Sequence, residues 1–287
     1  MKKFNMLLLV FAIGFFISCK KDKENTSSYS FNGKAQKGPF VIGTNIVINE
    51  LNSNLSQTGK TFTTTIKTDD GSFSLNNVEL KSNFGLITAN GFYFSEIYGE
   101  LSGANLSLQA LVNLSGKESI NVNVLTHIIK DRIGNLVASG MSFQDANEKA
   151  KSEFYDFLGV KNKFDIDFEN LDITVDEEYN AALLSFSIIL QRYTNSLNER
   201  AALTAGLTQL LSSLSSDFAD DGVVSNQKII DTLLFNISQL NLIDIRKNIE
   251  KRYADLNQNV TIPNFEKYIA LFQETHSKYL YTNFIYE

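Results

Sequence analysis

An α+β fold, an antiparallel β-sandwich followed by an all-helical bundle, is what this 287-residue sequence predicts. Three observations carry it. From Tyr29 to Ser115 the chain is rich in Thr, Ser, Gly, Asn and β-branched residues, with turn signals about every ten residues, the spacing of short paired strands. At the end of that stretch Leu106, Leu108, Ala110, Val112 and Leu114 recur at every second position, so one face packs and the other meets water. Past Ile120 the apolar period lengthens from 2 to 3.6, the repeat of a helix.

The elements follow in order. Strands are predicted over 31–35, 45–51, 60–67, 72–75, 84–89 and 106–114. Asp70-Gly71, between Ile66 and Phe73, predicts a tight hairpin, because such a turn needs positive φ, which Gly and Asp tolerate. Leu125, Ile128, Ile129, Ile133, Leu136 and Val137 form the first helical stripe, ended by Gly140. Ser142 supplies a capping oxygen and Asp145 a first-turn acid for the second helix, which Gly159 stops. A third helix is predicted from Asp176, with Tyr179, Leu183, Phe186, Leu190 and Tyr193 inward. A fourth carries Leu203, Leu207, Leu210, Leu211 and Leu214, and Ser225 opens a fifth. Leu242, Ile245 and Ile249 mark a sixth, and Pro263 opens a seventh through Phe272. The tail Tyr279-Leu280-Tyr281-Thr282-Asn283-Phe284-Ile285-Tyr286 reads as an aromatic strand, paired into the first half or packed on the bundle rather than exposed. No repeat of 20–50 residues is apparent, which argues against a solenoid.

Gly33-Lys34-Ala35, then Gly38-Pro39-Phe40-Val41-Ile42-Gly43-Thr44, then Thr68-Asp69-Asp70-Gly71-Ser72-Phe73-Ser74-Leu75 resembles the carboxypeptidase regulatory-like domain, a transthyretin-like sandwich. Thr44 departs from the small residue usual after the second glycine of that pattern. The resemblance implies a non-catalytic accessory module over about the first third of the mature chain. Asn121-Val122-Asn123-Val124-Leu125-Thr126-His127 and Asp217-Phe218-Ala219-Asp220-Asp221-Gly222 are similar to helical regions that follow such modules in bacterial surface lipoproteins.

The first residues predict an address. Lys2 and Lys3 precede an apolar run from Met6 to Ile17 that is short for a permanent membrane span, and Ser18 precedes Cys19, the chain's single cysteine. One cysteine excludes an internal disulfide framework. Phe16-Ile17-Ser18-Cys19 resembles the lipobox of bacterial lipoproteins, although that family usually has Leu or another aliphatic at the place of Phe16. The resemblance implies lipid on the Cys19 sulfur, cleavage before it, and membrane attachment through acyl chains such as palmitate. Lys20-Lys21-Asp22-Lys23-Glu24 looks like the charged export signals of Bacteroidota-type lipoproteins, which implies the outer membrane and its outer face; a solvated tether is the equal alternative. The expected segments are a signal peptide (1–18), an acylated tether (19–28), a β-sandwich (29–119) and a helical bundle (120–287), each of the last two holding its own core.

Losing Lys2 and Lys3 takes the formal net charge from −6 to −8, and an acidic body has no electrostatic footprint for nucleic acid. His127 and His276 are the only histidines, so no Cys/His zinc cage can form and no cofactor is expected. His127, without a Ser-in-elbow motif, is expected to be a cap or a surface contact. Asp217 and Asp221 fit positions 1 and 5 of a calcium loop with Gly222 at 6, but Ala219 at 3 and Lys228 at 12 remove ligands, which favours over a metal site an acidic turn whose Gly222 ends one helix before Ser225 caps the next. Asp165, Asp167, Glu169 and Asp172 alternate with Ile166, Phe168 and Leu171, the pattern of an extended connector with its acids turned to water. The expectation for function is a non-catalytic envelope lipoprotein with a β stalk and a helical surface for a protein or glycan partner. The alternative is an envelope enzyme acting on glycans through these acids.

Overall fold

The computed structural model describes residues 27–161, 164–194, 196 and 199–283. The fold is mixed α+β: strands come first, and seven α-helices follow among the described residues. Strands β1 (Ser27–Gln36), β2 (Asn45–Leu51), β3 (Gln57–Thr65), β4 (Ser72–Leu80), β5 (Phe84–Gly91) and β8 (Leu106–Asn113) lie where the alternation places them, several of them longer than predicted. In β8 the alternation holds residue by residue: Leu106, Leu108, Ala110 and Val112 are buried and their neighbours half-exposed. Two short strands gave no sequence signal, β6 (Phe94–Ser95) and β7 (Glu100–Leu101), since two residues have no period to read; β9 (Val122–Asn123) falls in the alternation of Ile120, Val122 and Val124, which allows a last strand there.

One antiparallel sheet runs β3-β2-β5-β8, a second runs β4-β1-β9, and β6-β7 form a short pair. The Asp70-Gly71 hairpin is a correction, since β3 pairs with β2 and β4 with β1, so the turn carries the chain from one sheet to the other. Its local chemistry is as expected. Asp70 Oδ1 accepts from Thr68 Oγ1 at 2.6 Å and from the Ser72 N–H at 3.0 Å, and Gly71 has φ +83°. A Cβ at Gly71 would lie 2.6 Å from the Ala35 carbonyl oxygen. Turn chemistry sets a change of direction; which strands then pair is set by which faces need burial.

The helices are α1 (Val124–Ala138), α2 (Phe143–Phe157), α3 (Glu178–Ile189), α4 (Arg200–Asp221), α5 (Gln227–Ser238), α6 (Leu242–Asp255) and α7 (Phe265–Asn283). Asn123 opens α1 with a capping box, its side chain accepting from the Leu125 and Thr126 amides while Thr126 bonds back. Ser142 caps α2 as the sequence predicts. Helix α3 starts two residues past Asp176, and Tyr193 lies beyond its end and 39% exposed rather than inward. Asn226, not Ser225, caps α5. The strand predicted at 279–286 is a correction as well: α7 runs through Asn283, and 284–286 lie outside the described residues. Phe265, Ile269 and Phe272 bury one face of α7, and propagating a docked helix by one residue outweighs the weak strand preference of a tyrosine. Among the described residues no helix is long and apolar enough to cross a membrane.

Buried apolar side chains form one cluster from Phe31 in β1 to Phe272 in α7. Residues 119–123 run alongside β1, with β9 parallel to Ala35 and Gln36. The Ile120 N–H donates to the Asn32 carbonyl at 2.9 Å, and the Lys34 N–H to Asn121 Oδ1 at 2.7 Å. Only glycine fits at position 33, where a Cβ would sit 2.0 Å from the Ile120 carbonyl oxygen. The segment boundary expected at 119/120 therefore falls inside continuous packing.

Candidate functional site

The acids at 165–172 are the largest departure from the sequence-based picture. Asp165 is exposed, as expected, but the other three tie their segment to β1, to α2 and to the loop at Lys117. Asp172 Oδ2 lies 2.8 Å from Lys34 Nζ on β1, and its Oδ1 accepts from Gln36 Nε2 at 2.8 Å. Asp167 meets Lys151 on α2 at 3.2 Å and Lys117 at 3.3 Å, and accepts from Asn147 Nδ2 at 3.0 Å. Glu169 meets Lys117 at 3.0 Å from a buried position. Burial opposes the charge on Asp172 and Asp167, but the lysines outweigh it and hold both carboxyls below the usual range. Glu169 goes the other way: burial raises it beyond what the shared Lys117 restores, with repulsion from Asp167 added.

Two carboxylates whose affinities for protons are pushed apart are what a glycosidase needs. Here the Lys117 ammonium occupies the space between Asp167 and Glu169 where a glycosidic oxygen would have to sit. Desolvation acts against the Lys117 charge and the two acids outweigh it, so the cation stays in place. The arrangement joins strands to helices. The sequence carries no sign of it, since Lys34, Lys117 and Lys151 become partners only through the fold.

A second buried polar group joins the same two halves. Lys37 Nζ, from the loop after β1, lies 2.9 Å from Glu96 Oε2, with side chains 0% and 1% exposed. Ser187 of α3 donates to the other Glu96 oxygen at 2.7 Å, and Asn248 of α6 donates to the Glu96 carbonyl at 3.1 Å.

His127 lies in the first turn of α1, half-buried over β8, in a cleft of about 310 Å³ with Lys130, Asp131 and Ser215. It caps no helix and makes a contact with the main chain of β8. Its Nδ1 accepts from the Gln109 N–H at 3.2 Å, which places the ring proton on Nε2. The Ser215 hydroxyl lies 2.8 Å from Asp131 Oδ2 and 3.0 Å from the Ile128 carbonyl oxygen. So the serine addresses a carboxylate and main chain, the lone pair of the imidazole is occupied, and Ser215 and His127 form no nucleophile–base pair. Desolvation, then the nearby Lys130 charge, lowers His127 to about 4.

That shift has a consequence for stability. Between pH 6.5 and 4 the unfolded chain binds a proton at His127 that the folded chain refuses, so stability falls with pH across that window. Buried His276, also lowered, adds in the same direction. Below pH 4 the depressed carboxyls follow, among them Asp70, held at about 2 because hydrogen bonds from Thr68, Ser72 and Gln258 outweigh its burial. Thermal melts should lose about 2 kcal/mol of stability from His127 alone between pH 7 and pH 5. His127→Gln should flatten that part of the profile; an equally steep profile in the variant would rule the histidine out as its source.

Asp217 and Asp221 both lie within α4, where a calcium loop would need extended chain. Asp217 Oδ2 accepts from the Ser225 and Asn226 amides at 2.9 and 3.0 Å, and Asp221 Oδ1 from the Val223 amide at 2.9 Å. Gly222, at φ +83°, ends the helix as the sequence predicts. The acids organise the α4–α5 turn. Cys19 and the charged run after it lie outside the described residues. Comparison with known proteins finds no matching family model, no matching curated protein and no matching solved structure.

Proposed function

We propose that this chain is a non-catalytic lipoprotein of the cell envelope, held through acylated Cys19 on the outer membrane and facing outward. Its β half would serve as a carboxypeptidase regulatory-like stalk of transthyretin-like sandwich form, and its helical bundle as the surface that meets a protein or glycan partner. The observation that most supports the reading is the short distance from anchor to fold. β1 begins at Ser27, eight residues after Cys19, and pairs with β4 from that first residue. A tether of eight residues reaches at most ~27 Å, so the β half would sit next to the membrane with the helices joined rigidly to it through the lysine–carboxylate groups. Those acids are engaged in holding elements together, which favours a scaffold over the glycan-hydrolysing alternative.

Cys19→Ala should abolish incorporation of a fatty-acid analogue and leave an uncleaved or misdirected precursor, because acylation needs the thiol. Equal labelling of the substituted chain would refute the anchor. In the same cells, replacing Lys20, Lys21, Asp22, Lys23 and Glu24 with Ser and Gly should keep the label and reduce protease access from outside; unchanged access would reduce that run to a tether.

A further inference from the structure

Helix α4 presents Leu203, Leu207 and Leu210 at helical spacing, and α5 presents Lys228, Thr232 and Phe235 likewise. Between them, floored by Leu190 and Leu207, lies an open trough of about 420 Å³, the size of a small-molecule site and too small for a docked helix. Phe235 is 51% exposed on its wall. Gly206 interrupts the interior of α4, where glycine disfavours the helix by about 1 kcal/mol relative to alanine, yet a Cβ there would meet nothing within 4 Å. The glycine relieves no clash; it leaves the trough open.

The charges at the rim name the class of occupant. The Arg192 guanidinium lies 5.7 Å from the Phe235 ring centroid, at one end of the trough. Lys228 stands two turns away, ~10 Å along α5. Among the described residues neither cation has a carboxylate partner. Asp231, held by Gln227 Nε2 at 2.8 Å, is the single acid of the lining, one turn from both Lys228 and Phe235, so the two cations outnumber it. An apolar trough whose lining carries a net positive charge, with a guanidinium in no ion pair beside Phe235, fits a linear apolar chain that ends in an anion, and the planar fork of Arg suits a carboxylate. We propose that the α4–α5 trough binds a single-chain anionic amphiphile, a fatty-acid-type carboxylate, with its head at Arg192 and its tail over Gly206. This gives the helical surface of the proposed function a ligand class and rests on that reading only for its setting; the anchor can fail while this site stands.

The test is calorimetric titration of the chain from Ser27 onward with decanoate and, separately, with decyltrimethylammonium, each below its micellar concentration. Decanoate should bind saturably and the cation of equal chain length should not. Gly206→Leu fills the trough and removes a helix-interior glycine, so it should eliminate decanoate binding while leaving the melting temperature equal or higher. Arg192→Glu, an exposed substitution, should weaken decanoate by roughly tenfold or more and improve the cationic amphiphile. Equal binding of the two amphiphiles, no saturable decanoate binding, or undiminished binding to Gly206→Leu overturns the proposal. Retention on phosphatidylglycerol vesicles that Gly206→Leu loses, without decanoate binding, would place a bilayer surface at the trough and overturn it too.

Discussion

Replacing Lys37 with methionine is expected to lower the folding stability by ~3–5 kcal/mol, the cost of leaving a buried charge without its partner. Glu96 would keep one hydrogen bond, from the Ser187 hydroxyl, in a site from which water is excluded. For a chain of this size that loss corresponds to a fall of about 10 °C or more in melting temperature. The double variant Lys37→Met with Glu96→Leu should be more stable than Lys37→Met alone. It removes both charges and leaves the Ser187 hydroxyl as the main unpaired group, a penalty of about 1–3 kcal/mol. Thermal and urea melts of the single and double variants measure the coupling. If Lys37→Met changes stability by less than ~1 kcal/mol, or if the double variant is worse than the single, the pair is not buried in solution as it is in this structure.

A chain that begins at Ile120 is expected to retain helical circular dichroism and lose its cooperative melt. Ile120, Val122 and Val124 are fully buried beside β1 and β8, and each aliphatic side chain returned to water costs ~1.5–3 kcal/mol. Three of them together approach the whole stability of an ordinary domain, about 5–15 kcal/mol. The separation would also strip Asp172 of Lys34, Asp167 and Glu169 of Lys117, and Ser187 of Glu96, leaving charged and polar groups that only the β half satisfies. Adding the β half back as a second polypeptide should restore the sharp transition. A cooperative melt of the isolated helical half at nearly full stability would mean that it holds its own core, as the change of period at Ile120 taken alone implies.

What the sequence by itself determined is local: where the strands and helices lie, and several of their ends. Alternation over 106–114, the 3.6-residue stripe from Leu125, the cap at Ser142 and the stop at Gly222 each depend on residues within a few positions of one another, and the structure repeats them almost unchanged. The acids at 167, 169 and 172 are the opposite case. A carboxylate between apolar neighbours reads as facing water unless a cation is known to wait inside, and Lys34 is 138 positions from Asp172. The Asp70-Gly71 turn was legible as a turn but not as a crossing between sheets, and the aromatic tail read as a strand until its docked neighbours Ile269 and Phe272 made it the end of a helix. The trough at Gly206 belongs to the same class, since a glycine in a leucine-rich helix has no meaning until the space above it is seen. Backbone hydrogen bonds and side-chain periodicity are short-range and leave a record in neighbouring residues. Charge pairing, strand partnership and empty volume are relations between distant segments, and only the folded chain brings those segments within the few ångströms over which they act.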